Sequence, residues 1–227
     1  MKKKKISISA KKIEIDFEYF QGLPVVDITV NNRKKAKVVF DTGASHSAFS
    51  NEFCKNIGIK PILKRDAYTN AQKTTVSLGV LDKIIIDKVK IKNILVGSFD
   101  LKAVNDELKK HVPEDKPEII KLINEIKGII SPRQLFGDRL VGIDYYAKKI
   151  YIYENEEDVE DLNANNYARM PLYHSITDAT VFHLSRQSWG VVLIDTGSSM
   201  SGLEKVYFEL NRINIPENNN EIEEDSI

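Results

Sequence analysis

A chain of 227 residues is long enough for one large or two small domains and can bury most of its apolar surface on folding. Apolar residues make up 42% and charged residues 29%, with a net charge of zero, which excludes wholesale disorder; no run reaches the ~18 apolar residues of a membrane span. Cys54 is the single cysteine, which excludes an intrachain disulfide and a thiolate metal cluster and leaves a buried, inert thiol as its expected role.

In chain order, "MKKKKISISA" opens like a secretory signal, but lysine returns before any apolar stretch develops. Residues 1–12 are therefore expected to be a solvated basic arm, and cytoplasmic residence is the expectation. Period-two alternation and β-branched residues then read as strands in "KIEIDFEYF", "LPVVDITV", "AKVVFD", "TTVSLGVL", "KIIIDKVKIKNILV" and "LVGIDYYAKKIYIY". Turn chemistry separates them at Asn31-Asn32, at Gly58 to Pro61 and at Tyr145 to Lys148. Two stretches break the pattern. "NEFCKNIGI" reads as a short helix closed by Gly58, and "KPEIIKLINEIKG" places Ile119, Ile120, Ile123 and Ile126 at helical spacing ahead of Gly128. The acidic run "ENEEDVED" opens a linker over 154–169, after which strands resume at "LYHSI", "ATVFHLS" and "WGVVLID", with Trp189-Gly190 expected at a hairpin bend. Residues 216–227 are expected to be an acidic disordered tail. The basic stretches "KKKK" and "NNRKKAK" lack the exposed aromatics or module that nucleic-acid binding needs, so neither nucleic acid nor membrane is an expected partner.

The chain repeats itself. Sliding it by 154 residues lays Val38 to Phe40 on Val192 to Ile194 and Asp41-Thr42-Gly43 on Asp195-Thr196-Gly197, with Ile28 and Val30 on Phe182 and Leu184. A carboxylate at the end of a buried strand is costly unless donors meet it, and the glycine lets backbone amides pass close enough to do so. The threonine hydroxyl is placed to bond a facing copy of the same turn. Two facing turns would bring two aspartates into contact, where both cannot ionise and one proton is shared. Such a pair splits amides. The ionised member takes a proton from water while the protonated member hydrogen-bonds the carbonyl.

"VVFDTGASHSAFS" resembles the active-site turn of the retropepsin-like aspartic proteases, and "GIISPRQLFGDRLVGIDYYAKKIYIY" is similar to the segment that closes that fold. Ser131 stands after Ile129 and Ile130, where that family places glycine. The resemblance implies a mostly β retropepsin-like acid protease barrel with short helices over residues 13–153, and a partial second repeat over 170–215. It implies an aspartic endopeptidase with no metal or other cofactor, acting on a peptide or protein substrate. Asp41, Thr42 and Gly43 are the implied catalytic turn, with Asp195, Thr196 and Gly197 as the candidate second one. Ala44 shapes the floor of the site, and Thr69, Asn70 and Ala71 fall in the place of the flap that covers substrate.

Other readings remain open. An inactive retropepsin-like domain would serve as a dimerisation or peptide-binding module, and "VVLIDTGSSMSG" is also similar to the phosphate loop of actin-like ATPases and sugar kinases. The chain is too short and strand-rich for the latter. His46 reads as a polar loop residue, and no G-x-S-x-G elbow makes a nucleophile of the nearby serines. The second aspartate has two sources: Asp41 of a second chain, or Asp195. The second copy has no equivalent of residues 128–153 to buttress it, so the expectation leans toward a homodimer.

Overall fold

The computed structural model describes residues 6–7, 12–20, 22–31, 34–68, 73–110, 112, 116–137, 139–155, 158–159, 173–174, 180–183, 189–191 and 195–198. The strands are β1 (Ile6–Ser7), β2 (Lys12–Asp16), β3 (Glu18–Phe20), β4 (Leu23–Val30), β5 (Lys34–Phe40), β6 (Ala48–Ser50), β7 (Pro61–Tyr68), β8 (Lys73–Ile86), β9 (Val89–Phe99), β10 (Ile126–Ile130), β11 (Leu140–Asp144), β12 (Lys149–Tyr153), β13 (Tyr173–His174), β14 (Thr180–His183) and β15 (Trp189–Val191). Helices α1 (Asn51–Asn56), α2 (Leu101–Lys110), α3 (Pro117–Glu125) and α4 (Pro132–Phe136) lie between them. The fold is mostly β.

Strands β4, β5, β10, β6, β9 and β8 pair in that order, and β8 pairs with β4 as well as β9, so the ring closes. Closure leaves few edges and gives the core a single interior, filled by Ile28, Phe40, Phe49, Leu81, Ile91, Ile130 and Phe136 among others. The apolar run of β5 is buried on both faces. Val38 and Phe40 face the interior, while Val39 joins Phe20, Val25, Ile123 and Ile126 in a second cluster under α3. A separate sheet of β11, β12 and β2 brings Ile150 and Ile152 opposite Ile15 and Ile13, all four buried.

β10 threads between the two strands that flank residues 41–47. It runs parallel to β5, with Ile130 opposite Phe40, and antiparallel to β6, with Gly128 opposite Phe49. Asp41 N–H donates to Ile130 O at 3.0 Å, so the turn starts from a strand held on its far side. Gly128 makes this crossing possible, since a Cβ there would lie 2.7 Å from Phe49 Cα and overlap Ala48 O.

Several elements differ from their sequence reading. Ile126, counted with the helix, opens β10. β7 was not read as a strand because it pairs only with β8 and Pro61 to Asp66 are all exposed, which leaves no buried face to create alternation. α2 was not anticipated either. Trp189 and Gly190, expected at a bend, lie within β15, paired with His183 and Phe182. The α1 reading holds: Ser50 Oγ accepts from Phe53 N–H at 3.1 Å as its cap, and Phe53 and Cys54 are buried. Burial pushes the Cys54 thiol up to about 11, consistent with an inert role.

The two hairpins that lead into the DTG turns share one register. Moving Asp27↔Lys37, Ile28↔Ala36 and Thr29↔Lys35 of β4–β5 along by the repeat distance gives Val181↔Val191, Phe182↔Gly190 and His183↔Trp189, the pairs of β14–β15.

Gly128→Ala should cost about 2 kcal/mol or more, because the new methyl meets backbone that cannot retreat. Gly142→Ala in β11, whose nearest neighbours would lie 3.7 Å away, should cost under about 1 kcal/mol. Urea unfolding of both variants checks this, and equal losses would contradict the crossing geometry.

Candidate active site

Asp41 leaves the end of β5, where burial of Val38, Val39 and Phe40 fixes the strand and delivers the carboxyl to a half-buried position. Ala44 N–H donates to Asp41 Oδ1 at 2.9 Å. Across from it stand Asp195, Thr196 and Gly197, also half-buried. The two turns interlock. Thr42 N–H donates to Thr196 Oγ1 and Thr196 N–H donates to Thr42 Oγ1, both at 3.0 Å, and the Thr196 hydroxyl donates onward to Phe40 O at 2.6 Å. Asp195 Oδ1 accepts from Gly197 N–H at 2.7 Å.

The glycines set how close the carboxylates come. A Cβ on Gly43 would lie 2.6 Å from Asp195 Cγ, and one on Gly197 would lie 2.5 Å from Asp41 Oδ2. Each carboxylate therefore rests against the glycine of the opposite turn. Burial, then the charge of Asp195, raises the Asp41 carboxyl from an ordinary 3.8 to about 7, against the lowering effect of the Ala44 and Gly43 amides.

The structure thus brings Asp41, Thr42, Gly43, Ala44, Asp195, Thr196 and Gly197 together. Thr69, Asn70 and Ala71 lie outside the described residues; the hairpin arms on either side, β7 and β8, pair up to Tyr68↔Lys73. His46 is exposed beside the turn, its Nδ1 3.1 Å from Ser45 Oγ, as expected of a polar loop residue. Asp195 of the same chain stands across from Asp41 in this structure. The objection that the second turn lacks a backing segment is answered across the interlock, where Thr42 and Phe40 of the first turn support Thr196.

Residues 26–115 match the sequence pattern of a family described as aspartyl protease. The matched stretch holds Asp41 and ends before β10 and Asp195. Among solved structures, a retropepsin-like aspartic protease from Rickettsia conorii is similar, 18% identical, with 66% of this chain and 92% of that chain covered and a TM-score of 0.40. No curated protein matches the chain. The family match supports a protease-type hydrolase. No helix among the described residues is long and apolar enough to cross a membrane.

Sequence reasoning missed Ser47 and Gln134. Gln134 N–H donates to Ser131 Oγ at 3.2 Å, while its Oε1 accepts from Ser47 N–H at 2.8 Å and its Nε2 donates to Leu95 O at 2.6 Å. The signal was present as Ser131-Pro132-Arg133-Gln134, a serine followed three residues later by glutamine, which marks a helix N-terminus.

A carboxyl raised on folding binds more protons in the folded chain than in the unfolded one between its two pKa values, so its contribution to stability is present below the unfolded value and is lost as pH rises toward about 7. Asp41→Asn should therefore raise the Tm by about 3–8 °C at neutral pH and above, and by much less near pH 4. Scanning calorimetry across pH checks this; a gain that does not grow with pH would contradict the raised carboxyl.

Proposed function

We propose that the chain is an aspartic endopeptidase in which Asp41 and Asp195 of one molecule form the catalytic pair. The observation that carries this reading is the reciprocal Thr42–Thr196 bonding, which holds the two carboxylates together on two short, glycine-spaced turns. Asp41 holds the shared proton and offers it to the carbonyl oxygen of the scissile peptide. Asp195 takes a proton from the water lying between them, and that water attacks the carbonyl carbon. The tetrahedral intermediate collapses as the leaving nitrogen receives a proton from the pair, so no covalent enzyme intermediate forms. The chemistry asks for no metal or cofactor. The β7–β8 hairpin is the element assigned to cover an extended peptide, with Thr69, Asn70 and Ala71 lying between its two strands in the sequence, and Ala44 forms part of the floor.

The matching register of β4–β5 and β14–β15 supports reading the second turn as a repeat of the first rather than a chance tripeptide. One chain then completes its own site, and a second copy is not needed.

Asp41→Asn and Asp195→Asn should each lower kcat on an unstructured protein substrate by about a thousandfold or more, with no effect of a metal chelator. Activity per molecule should stay constant on dilution, and an equimolar mixture of the two variants should remain inactive. Full activity of Asp195→Asn, combined with loss of activity on dilution, would instead require Asp41 of a second chain.

A further inference from the structure

Ser131 departs from the glycine expected at its position, and its surroundings show what the hydroxyl does. The residue is wholly buried. Its Oγ accepts from Gln134 N–H, which leaves the hydroxyl proton free, and that proton goes to Ala44 O at 2.6 Å. Its own amide donates to Ser47 Oγ at 3.1 Å. In a full capping box the glutamine side chain would return to the amide of the capping residue. Here it does not. Gln134 Oε1 takes the Ser47 amide instead, Ser47 Oγ takes the Ser131 amide, and Ser47 O accepts from Gly97 N–H at 2.9 Å. Residues 44 and 47, on the loop that follows the DTG turn, are thus fastened to residues 131 and 134, and through Gln134 and Gly97 to β9.

Ala44 is the link to the carboxylate. Its carbonyl is held by Ser131, and its N–H is the donor to Asp41 Oδ1. A methyl or hydrogen at position 131 would release the carbonyl and leave only local backbone preference to aim that N–H.

We infer that Ser131 is a positioning residue of the catalytic turn, whose hydroxyl, set by Gln134, holds Ala44 so that its amide stays on Asp41. The inference rests on the proposed role of Asp41, but its effect is legible in the protonation of that carboxyl whether or not peptide is cleaved. A donor to a carboxylate favours the ionised form, so loosening Ala44 raises the Asp41 pKa further. Among the described residues the titratable group facing Asp41 is Asp195; β10 and α4 behind it present Ile130, Ser131 and Phe136, while Arg133 of α4 and His46 of the loop are exposed.

The test is a carbon-13 NMR titration of the full chain labelled at aspartate, with Asp41 assigned through Asp41→Asn, alongside pH–rate profiles on an unstructured protein substrate. Ser131→Ala should move the Asp41 midpoint upward by roughly half a unit to one unit. It should lower kcat about tenfold with KM nearly unchanged, and shift the alkaline limb of the profile by the same amount as the midpoint. Ser131→Thr, which keeps the hydroxyl, should restore midpoint and rate. Should Ser131→Ala not fold, Ser131→Cys keeps the volume with a weaker donor and should give a smaller shift of the same sign. A variant with lowered Tm but the parent's Asp41 midpoint would overturn the inference, leaving Ser131 a helix cap alone. A parent chain that cleaves nothing, yet shows the Ser131-dependent midpoint, would remove the protease reading and keep the clamp.

Discussion

Two threonine amides and two threonine hydroxyls, exchanged across a pair of turns, are the interaction on which the site depends. Thr42 and Thr196 each donate a backbone N–H to the other's Oγ1, and Thr196 passes its own proton to Phe40 O. Each such bond contributes roughly 1 kcal/mol net. They work against the repulsion and desolvation that raise Asp41 to about 7, a penalty of the order of a few kcal/mol at neutral pH. The terms are similar in size, so the pair stays together because several bonds act at once and because glycines at 43 and 197 remove the steric obstacle. The shared proton lessens the repulsion that remains.

The two halves of the site are supported differently. Asp41 has β10 behind it, pinned by Ile130 O and made possible by the missing side chain of Gly128, and it has the Ser131–Gln134 segment holding the loop that follows. Among the described residues, Asp195 draws its support from its own turn and from the first turn. The barrel acts as a rigid mount for one carboxylate, and the interlock transfers that rigidity to the other. In the proposed pairing, what the short second copy must supply is a hairpin in the right register and four residues of turn.

Much of this was legible from the sequence because it rests on local pattern. The strands of the barrel announced themselves by alternation, as in "LPVVDITV", where the inward residues Val26, Ile28 and Val30 are all buried. The DTG repeat was found by self-comparison, and the matched hairpin registers follow the same spacing. What escaped lacked a local signature. β7 has one paired edge and no buried face, so nothing forced its residues to alternate. Gln134 bonds residues distant in sequence, at Ser47 and Leu95, and a glutamine's partner is not encoded in its neighbours. Ser131 was noticed only as a departure. Its worth depends on Ala44 O lying within reach, which is a fact of tertiary structure.

The source of the second aspartate was the hardest question for the same reason, since a lone DTG lobe and a lobe with a tethered mate differ only in which turn arrives first. Tethering favours the proposed pairing with Asp195. A segment on the same chain presents its turn at an effective concentration of about a millimolar, whatever the protein concentration, whereas a second copy must be recruited from solution. At low protein concentration the tethered turn wins unless the intermolecular interface is stronger by several kcal/mol, and Thr196 already makes the same kind of reciprocal bonds that a second Thr42 would offer. An Asp195 turn seated in this way also fills the face a second copy would need. A self-completed site and a symmetric dimer built on the same turn are therefore competing states of one surface.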